Sequence, residues 1–175
     1  MLYLPTFRDK SKVKFFGEEN VSIINQHLEK ISNSGYVIVT KMHFAETLYH
    51  QTDLVVENVI NLPSDYDIYP MLKHTDILIT DYSSVYFDFL TLNREIIFFP
   101  YDLEYYKNED RGLLLDYDEF TPGEKIMNIS EVLPTLTKIS NKEINYSEDR
   151  GKLKNLIFCN DGFDSLVTGI LKILK

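Results

Sequence analysis

The sequence predicts an α/β fold in which a parallel sheet is covered by helices on both faces. Short apolar runs alternate with stretches of helical periodicity along most of the chain. Buried parallel strands read as continuous apolar runs because helices cover both of their faces. With 175 residues and 44% hydrophobic content, the chain is long enough to form one domain with its own core. We therefore expect a single domain over residues 1–175.

The first half of the chain is predicted to contain three strands and two helices. Apolar runs predict the strands, and apolar residues three or four positions apart predict the longer helix. The Asn33-Ser34-Gly35 segment ends that helix. In chain order, the predicted elements are a strand over 1–7, a helix over 18–32, strands over 36–40 and 55–62, and a short helix over 67–73.

The second half is predicted to continue the alternation with two strands and several helices. A Thr-Pro-Gly-Glu segment at 121–124 is typical of a helix start, with a Thr cap, Pro in the first turn and Glu three residues after the cap. The predicted elements are a strand over 76–80, an amphipathic helix over 85–92, a strand over 96–99, a loop to about residue 121, and helices over 129–139 and 164–174.

Residues 80–84, Thr-Asp-Tyr-Ser-Ser, form a polar segment that we call the bend. It follows a predicted strand and precedes a helix, which is where open α/β sheets bind ligands and where a helix start favours an anion. Asp and Ser are also ordinary helix caps, but a cap needs one such residue and the bend has three. This excess favours a ligand site, with Thr80, Asp81, Ser83 and Ser84 as candidates.

Other polar side chains follow neighbouring predicted strands. Taken alone, Arg8 fits a solvated strand end better than a ligand contact. His43 fits a structural histidine as well as it fits an acid, a base or a phosphate donor. After the fifth strand, Asp102, Glu104 and Arg111 belong either to a solvated loop or to a site with carboxylates near a polyol and a guanidinium on a phosphate.

Charge and composition exclude several classes of function. Residues 51–125 contain 5 basic and 16 acidic side chains, which argues against nucleic-acid binding. The sequence has neither a Gly-rich dinucleotide fingerprint nor a Walker loop, and its His and Cys residues lack metal-ligand spacing, so we expect no cofactor and no metal. The single cysteine, Cys159, indicates a reducing compartment, and the apolar runs are too short to span a membrane.

The motifs, in their order along the chain, resemble the CDP-glycerol glycerophosphotransferases, the polyol-phosphate primases and polymerases of teichoic acid and capsule synthesis. The resemblance extends from Tyr3 to about Ser165. Its most specific part is the stretch 80–89 followed by Phe-Phe-Pro-Tyr-Asp. The matching segments are 3–8, 41–43, 76–89, 96–102, 110–112 and 161–162.

The resemblance implies a fold and an activity. The fold would be a Rossmann-like parallel sheet similar to the C-terminal, nucleotide-binding domain of a GT-B glycosyltransferase, with the family's N-terminal acceptor domain absent. The reaction would transfer glycerol phosphate, or a related polyol phosphate, from a CDP-linked donor to a polyol-phosphate or lipid-linked acceptor. The implied partners are CDP-glycerol or another CDP-polyol and a separate N-terminal half. The implied location is the cytoplasm, with attachment to the inner face of the membrane left open.

The resemblance also implies roles for individual residues. His43 would match a histidine that the family needs beside the donor phosphates, and Arg111 would reach the same phosphates; both are expected to be catalytic. The residues expected to bind substrate are Arg8, Thr80, Asp81, Ser83, Ser84, Asp102 and Glu104.

The sequence departs from the family pattern at two positions, and it leaves two alternative functions open. Phe44 follows His43 where the family commonly has proline, and Asp164 precedes Ser165 where a small residue is common. A non-catalytic nucleotide-binding module would have the same fold, and so would half of a glycosyltransferase that uses a sugar nucleotide, because a fold does not determine its substrate.

Overall fold

The computed structural model describes residues 1–11, 13–42 and 56–158. In this part of the chain, a parallel sheet has the strand order β3-β2-β1-β4-β5-β6. The strands are β1 (Leu2–Leu4), β2 (Ile38–Thr40), β3 (Val59–Asn61), β4 (Ile77–Thr80), β5 (Glu95–Phe98) and β6 (Glu124–Lys125).

Helices of very different lengths connect and cover these strands. Two of them adjoin 3₁₀ turns, Leu90–Leu92 after α3 and Ile129–Glu131 before α6. The helices are α1 (Val21–Asn33), α2 (Tyr69–Leu72), α3 (Val85–Phe89), α4 (Leu103–Asn108), α5 (Tyr117–Phe120), α6 (Val132–Ser140) and α7 (Ser147–Ile157). Within the described ranges, no helix is long and apolar enough to cross a membrane.

Apolar side chains cover both faces of the sheet. Successive strand residues point to opposite faces, so Tyr3 and Ile79 contribute to one core while Leu2 and Leu78 contribute to the other. Helices α1 and α6 pack on the first face, and helices α2, α3 and α7 pack on the second. This arrangement confirms the predicted parallel sheet with helices on both faces.

The strand order reverses direction between β1 and β4. From β1 the chain proceeds outward to β2 and β3, and it then returns to the other side of β1 for β4, β5 and β6. In a doubly wound sheet, the loops on the two sides of such a reversal diverge and leave a crevice outside the carboxyl ends of the strands. The residues that follow Leu4 and Thr80 border this crevice.

Several predicted elements differ from the structure between β5 and the end of α7. The stretch predicted as a loop contains α4 and α5, and α5 begins because the side chain of Asp116 accepts the N–H of Glu119. The predicted helix start at 121–124 is wrong, since Thr121 donates back to the Tyr117 carbonyl at the end of α5 and the chain then enters β6. Helix α7 was not predicted, and the helix predicted over 164–174 lies outside the described residues.

Gly123 allows β6 to lie close against β5. A Cβ atom at this position would lie 2.2 Å from the Ile96 carbonyl oxygen and 3.0 Å from the Phe98 ring. We expect Gly123→Ala to lower the free energy of unfolding by about 3 kcal/mol because the contacting atom belongs to the backbone. Urea denaturation measures the effect. Gly151→Ala is the matched control, since no atom of the described residues lies within 4 Å of a Cβ placed there and alanine favours the helix. Equal stabilities of the two variants would contradict the prediction.

Candidate functional site

Arg8 lies in a buried polar cluster beside the crevice. Its Nε donates to Asp102 Oδ2 and its Nη2 donates to Asp102 Oδ1, both at 2.9 Å. Nη2 also donates to Asp81 Oδ2 at 2.9 Å, and Nη1 donates to the Thr6 carbonyl oxygen. One guanidinium therefore connects the segments that follow β1, β4 and β5.

The ionised groups of this cluster depend on one another. Burial lowers the pKa of the Arg8 guanidinium, but the hydrogen bond to Asp102 and the charges of both carboxylates outweigh burial, and the pKa lies above its ordinary value. Burial raises the pKa of the Asp81 carboxyl, and the charge of Arg8 opposes that effect. Because one guanidinium faces two carboxylates, the cluster has no unmatched positive charge to offer a phosphate.

Asp81 and Thr80 attach the start of the bend to β1. Asp81 Oδ1 accepts the N–H groups of Thr6 at 2.8 Å and Tyr82 at 2.6 Å. Thr80 Oγ1 donates to the Leu4 carbonyl at 2.7 Å. Asp81 and Thr80 are 2% and 0% exposed. Both side chains thus hold the sheet edge together and lie beneath its surface.

Tyrosine rings pack around the guanidinium. The rings of Tyr82 and Tyr106 stack with centroids 3.9 Å apart, and Arg8 Cζ lies 4.8 Å and 4.9 Å from these centroids. The Tyr82 hydroxyl donates to Asp102 Oδ1 at 2.9 Å. Burial, and secondly the charge of Asp102, raise the pKa of Tyr82, so its hydroxyl remains a donor at neutral pH. Burial also raises the pKa of Tyr101 to about 12.

Ser83 and Ser84 form the outward part of the bend. Ser84 is exposed at the N-cap position of α3, where its side chain makes no capping hydrogen bond. Ser83 is half-buried, and its Oγ accepts the N–H of Val85 at 3.5 Å. The next two N–H groups of α3 are accepted by backbone carbonyls, that of Tyr86 by Ser83 at 3.5 Å and that of Phe87 by Ser84 at 3.0 Å. The two serine hydroxyls are therefore the side-chain donors at the start of α3.

Arg111 and Glu104 lie on the same edge but outside the buried cluster. The Arg111 side chain is 50% exposed, with Nε 3.4 Å from Asp9 Oδ2. The neighbouring Asp110 accepts the Asp9 N–H at 3.0 Å, which attaches this segment to the residues after β1. Glu104 is exposed in α4, where it accepts the side-chain N–H of Asn108 at 3.3 Å. Arg111 is thus a solvent-accessible cation, and a bound phosphate could reach it.

A cavity of about 250 Å³ opens beside the bend. Aromatic rings and leucines make most of its wall, to which the bend contributes Tyr82 and Ser84. Over the described residues, no three His, Cys, Asp or Glu side chains form a group that could hold a metal ion. The site therefore offers hydroxyl, amide and guanidinium donors beside an aromatic surface.

The structure brings most of the predicted site residues to one edge of the sheet. Arg8, Thr80, Asp81 and Asp102 are joined in the buried cluster. Ser83 and Ser84 lie on the bend above this cluster, and Glu104 and Arg111 lie around it. His43 falls in 43–55, and the Asp-Gly pair at 161–162 follows residue 158, so both lie outside the described residues.

Sequence reasoning missed the aromatic part of the site. The motif pattern assigns no role to Tyr82, yet its ring stacks on Tyr106 and its hydroxyl donates to Asp102. Tyr117 donates to the Asp81 carbonyl at 3.1 Å from the start of α5. The only signal in the sequence is the high tyrosine content, 12 residues with no tryptophan, which does not indicate which rings meet.

Known proteins share this fold and much of this sequence. The solved structure of the wall teichoic acid polymerase TagF matches with a TM-score of 0.71 and 29% identity, over 97% of this chain and 42% of that chain. A histidine variant of TagF soaked with CDPG matches with a TM-score of 0.67 and 30% identity over the same shares of the two chains. These matches agree with the predicted Rossmann-like fold.

A curated relative and a family model identify the family. The teichoic acid glycerol-phosphate transferase of Staphylococcus aureus (strain NCTC 8325 / PS 47) is 35% identical over 153 residues, which make up 86% of this chain and 38% of the relative. This chain thus spans well under half the length of that transferase and of TagF. The model that describes the CDP-Glycerol:Poly(glycerophosphate) glycerophosphotransferases matches residues 1–164, and the chain therefore belongs to this family.

Proposed function

We propose that this chain is the donor-binding half of a polyol-phosphate transferase that uses CDP-glycerol. The observation that carries the proposal is the position of Ser83, half-buried, and Ser84, exposed, at the carboxyl end of β4, beside the reversal of strand order. The family match supports CDP-glycerol as the donor, and so does the CDPG soak of the TagF variant. The diphosphate of the donor would lie against the bend.

The proposed reaction transfers a phosphoryl group between two oxygens. A hydroxyl oxygen of a teichoic acid or capsule acceptor attacks the phosphorus that bears glycerol. The bond from this phosphorus to the bridging oxygen of the diphosphate breaks, CMP leaves with the electron pair, and a base takes the hydroxyl proton. Negative charge spreads over the phosphoryl oxygens, so catalysis depends on oriented donors and cations. A second half of the protein, or a separate chain, would supply the acceptor site and the base.

Three groups of this chain would stabilise the phosphates. The hydroxyls and N–H groups of Ser83 and Ser84 would donate to the diphosphate at the start of α3. Arg111 would contribute a planar guanidinium from the adjoining segment, which suits two phosphate oxygens at once. His43 would donate from the segment after β2, as the family resemblance implies. Because two carboxylates already match the charge of Arg8, the serines, Arg111 and His43 have to supply the hydrogen-bond donors to the phosphates.

Titration calorimetry with several nucleotides tests the proposed function. We expect CDP-glycerol to bind more tightly than CMP and UDP-sugars, with CDP-ribitol showing how strictly the polyol is selected. A preference for UDP-sugars would instead indicate half of a glycosyltransferase with a sugar-nucleotide donor. If CDP-glycerol binds but no glycerol phosphate is transferred when the second half is added, the chain is a non-catalytic nucleotide-binding module. Failure to bind any of these nucleotides would refute the proposed function.

Arg111→Ala is expected to weaken CDP-glycerol binding about tenfold or more, because a charge-assisted contact to phosphate is lost. The thermal midpoint should change little, since the ion pair that the replaced side chain makes with Asp9 is exposed and 3.4 Å long. Lys138→Ala is the matched control. Lys138 is exposed in α6. The carbonyl of the nearby Leu136 accepts the hydroxyl of Tyr36, which precedes β2. Lys138 therefore lies toward the edge of the sheet opposite the bend. Equal losses of affinity in both variants would contradict a specific role for Arg111.

A further inference from the structure

Arg8 joins the segments that follow three neighbouring strands. Its donors reach the Thr6 carbonyl after β1, Asp81 after β4 and Asp102 after β5. The contact with Asp102 uses two parallel N–H groups, each 2.9 Å from its acceptor oxygen. A bidentate contact of this kind determines the plane of the guanidinium as well as its place. The three segments are therefore held in one relative arrangement.

We propose that Arg8 is a positioning residue for the donor site, holding Ser83 and Ser84 in place without touching the ligand. The inference rests on the proposed function, because these serines are the surface on which the donor phosphates would lie. Two observations separate this role from direct binding. Arg8 is 1% exposed, and each of the two carboxylates on its guanidinium is within 2.9 Å.

The path from Arg8 to the serines runs through Tyr82. The carboxylate of Asp81 binds Arg8 with one oxygen and the Tyr82 N–H with the other. The carboxylate of Asp102 binds Arg8 with both oxygens and accepts the Tyr82 hydroxyl. Tyr82 is thus held at its backbone and at the tip of its side chain by two groups that Arg8 orients. Since Ser83 is the next residue, its position depends on the same contacts.

Lysine cannot replace Arg8 in this role. An ammonium group carries its donors on one nitrogen, whereas a guanidinium has a planar fork that spans two carboxylates. Arg8→Lys therefore keeps the positive charge but cannot reproduce the contacts that Nε and both Nη atoms make with Asp81, Asp102 and Thr6. Loss of orientation without loss of charge is the change that a test of positioning requires.

The test compares Arg8→Lys with the wild-type chain, with and without CDP-glycerol. NMR of the ligand-free proteins measures the backbone amide resonances of Ser83 and Ser84, and calorimetry measures the affinity at a temperature where the variant is folded. We expect the two resonances to shift in the absence of ligand. We expect the dissociation constant for CDP-glycerol to rise about tenfold or more, which corresponds to about 1.4 kcal/mol.

Arg150→Lys is the matched control. Arg150 is also 1% exposed, and its Nη atoms form a second bidentate contact with Glu95 at 2.7 Å and 2.8 Å. Glu95 begins β5, so this pair lies at the opposite edge of the sheet from the bend. Arg150→Lys should lower the thermal midpoint while leaving the Ser83 and Ser84 resonances and the CDP-glycerol affinity as in the wild type. A buried arginine with a purely structural role would behave in this way.

The outcomes of this test distinguish a positioning role of Arg8 from direct contact with the ligand. Wild-type resonances and wild-type affinity in Arg8→Lys would overturn the inference. Weaker binding with unchanged resonances would also overturn it, because it would indicate direct contact between Arg8 and the ligand. If the wild-type chain does not bind CDP-glycerol, the proposed function fails, while the ligand-free resonances still decide on positioning. If Arg8→Lys does not fold, Tyr82→Phe removes only the hydroxyl that donates to Asp102, and the same resonances should shift by a smaller amount.

Discussion

Arg8→Met is expected to lower the free energy of unfolding by about 3–5 kcal/mol, since it leaves buried carboxylates without their cation. The Asp81 and Asp102 side chains are 3% and 17% exposed, so water can replace the guanidinium only in part. Methionine fills much of the vacated volume with atoms that cannot donate a hydrogen bond. Denaturation in urea, with the slope compared between variants, measures the loss.

Arg111→Met is the appropriate comparison for this stability measurement. It removes the same charge from the same sheet edge, but its ion pair with Asp9 is half-exposed and 3.4 Å long. Exposed pairs of this kind contribute less than about 1 kcal/mol. If Arg8→Met lost no more stability than Arg111→Met, the carboxylates of the cluster would be hydrated in the variant, and the cluster would not determine the arrangement of the three segments.

The sheet could be predicted because its signal is local. The inner strands consist almost entirely of apolar or buried residues, and the burial pattern of Ile77–Thr80 shows why: both faces are covered. The amphipathic repeat of α1 likewise comes from one buried stripe that includes Ile24, Leu28 and Ile31. Patterns of this kind depend on a few neighbouring residues, so one sequence is enough to find them.

The elements that were mispredicted depend on contacts that a short window does not contain. Helix α5 has four residues and depends on the Asp116 cap. Helix α7 has only Arg150 and Leu153 as buried residues, so it carries almost no apolar stripe. Strand β6 has two residues and exists because β5 is beside it. In each case the deciding contact is with a partner that periodicity cannot identify.

The candidate site shows more clearly that local patterns do not identify partners far away in the sequence. The position of the bend could be predicted, because a polar segment between a strand and a helix is a local pattern. The burial of Arg8 could not, since its partners Asp81 and Asp102 are 73 and 94 residues away. Taken alone, Arg8 is expected to be a solvated strand end, and the resemblance implies that Arg8 binds substrate while Arg111 is catalytic. The structure separates a buried arginine matched by carboxylates from an exposed one that can meet a phosphate.

This separation indicates how an acidic region can bind an anionic donor. Residues 51–125 are strongly acidic, and two of their carboxylates are turned inward to Arg8. The surface above these carboxylates consists of the outward serines and the first turn of α3. A donor phosphate placed there would meet the hydroxyls of the two serines, with Arg111 at the rim. Adding one carboxylate at this surface should therefore be far more harmful to binding than to folding.

Ser84→Asp applies this reasoning directly. An Asp near the start of α3 is favourable for the helix, so we expect the thermal midpoint to stay the same or to rise slightly. The new carboxylate would lie beside the proposed diphosphate. Two unit charges about 5 Å apart repel by about 3 kcal/mol at an effective dielectric constant near 20. The affinity for CDP-glycerol should thus fall on the order of a hundredfold.

Ser147→Asp separates this effect from a general gain of negative charge. Ser147 begins α7, in which Arg150, three residues further on, binds Glu95 at the amino end of β5, so the position lies toward the opposite edge of the sheet from the bend. This variant adds the same charge at another helix start and should leave CDP-glycerol binding unchanged. If Ser84→Asp remained folded and bound CDP-glycerol as tightly as Ser147→Asp, the hydroxyls of the bend would be helix caps and surface groups, and the donor phosphates would have to lie elsewhere. Loss of binding in Ser84→Asp alone would place them at the start of α3.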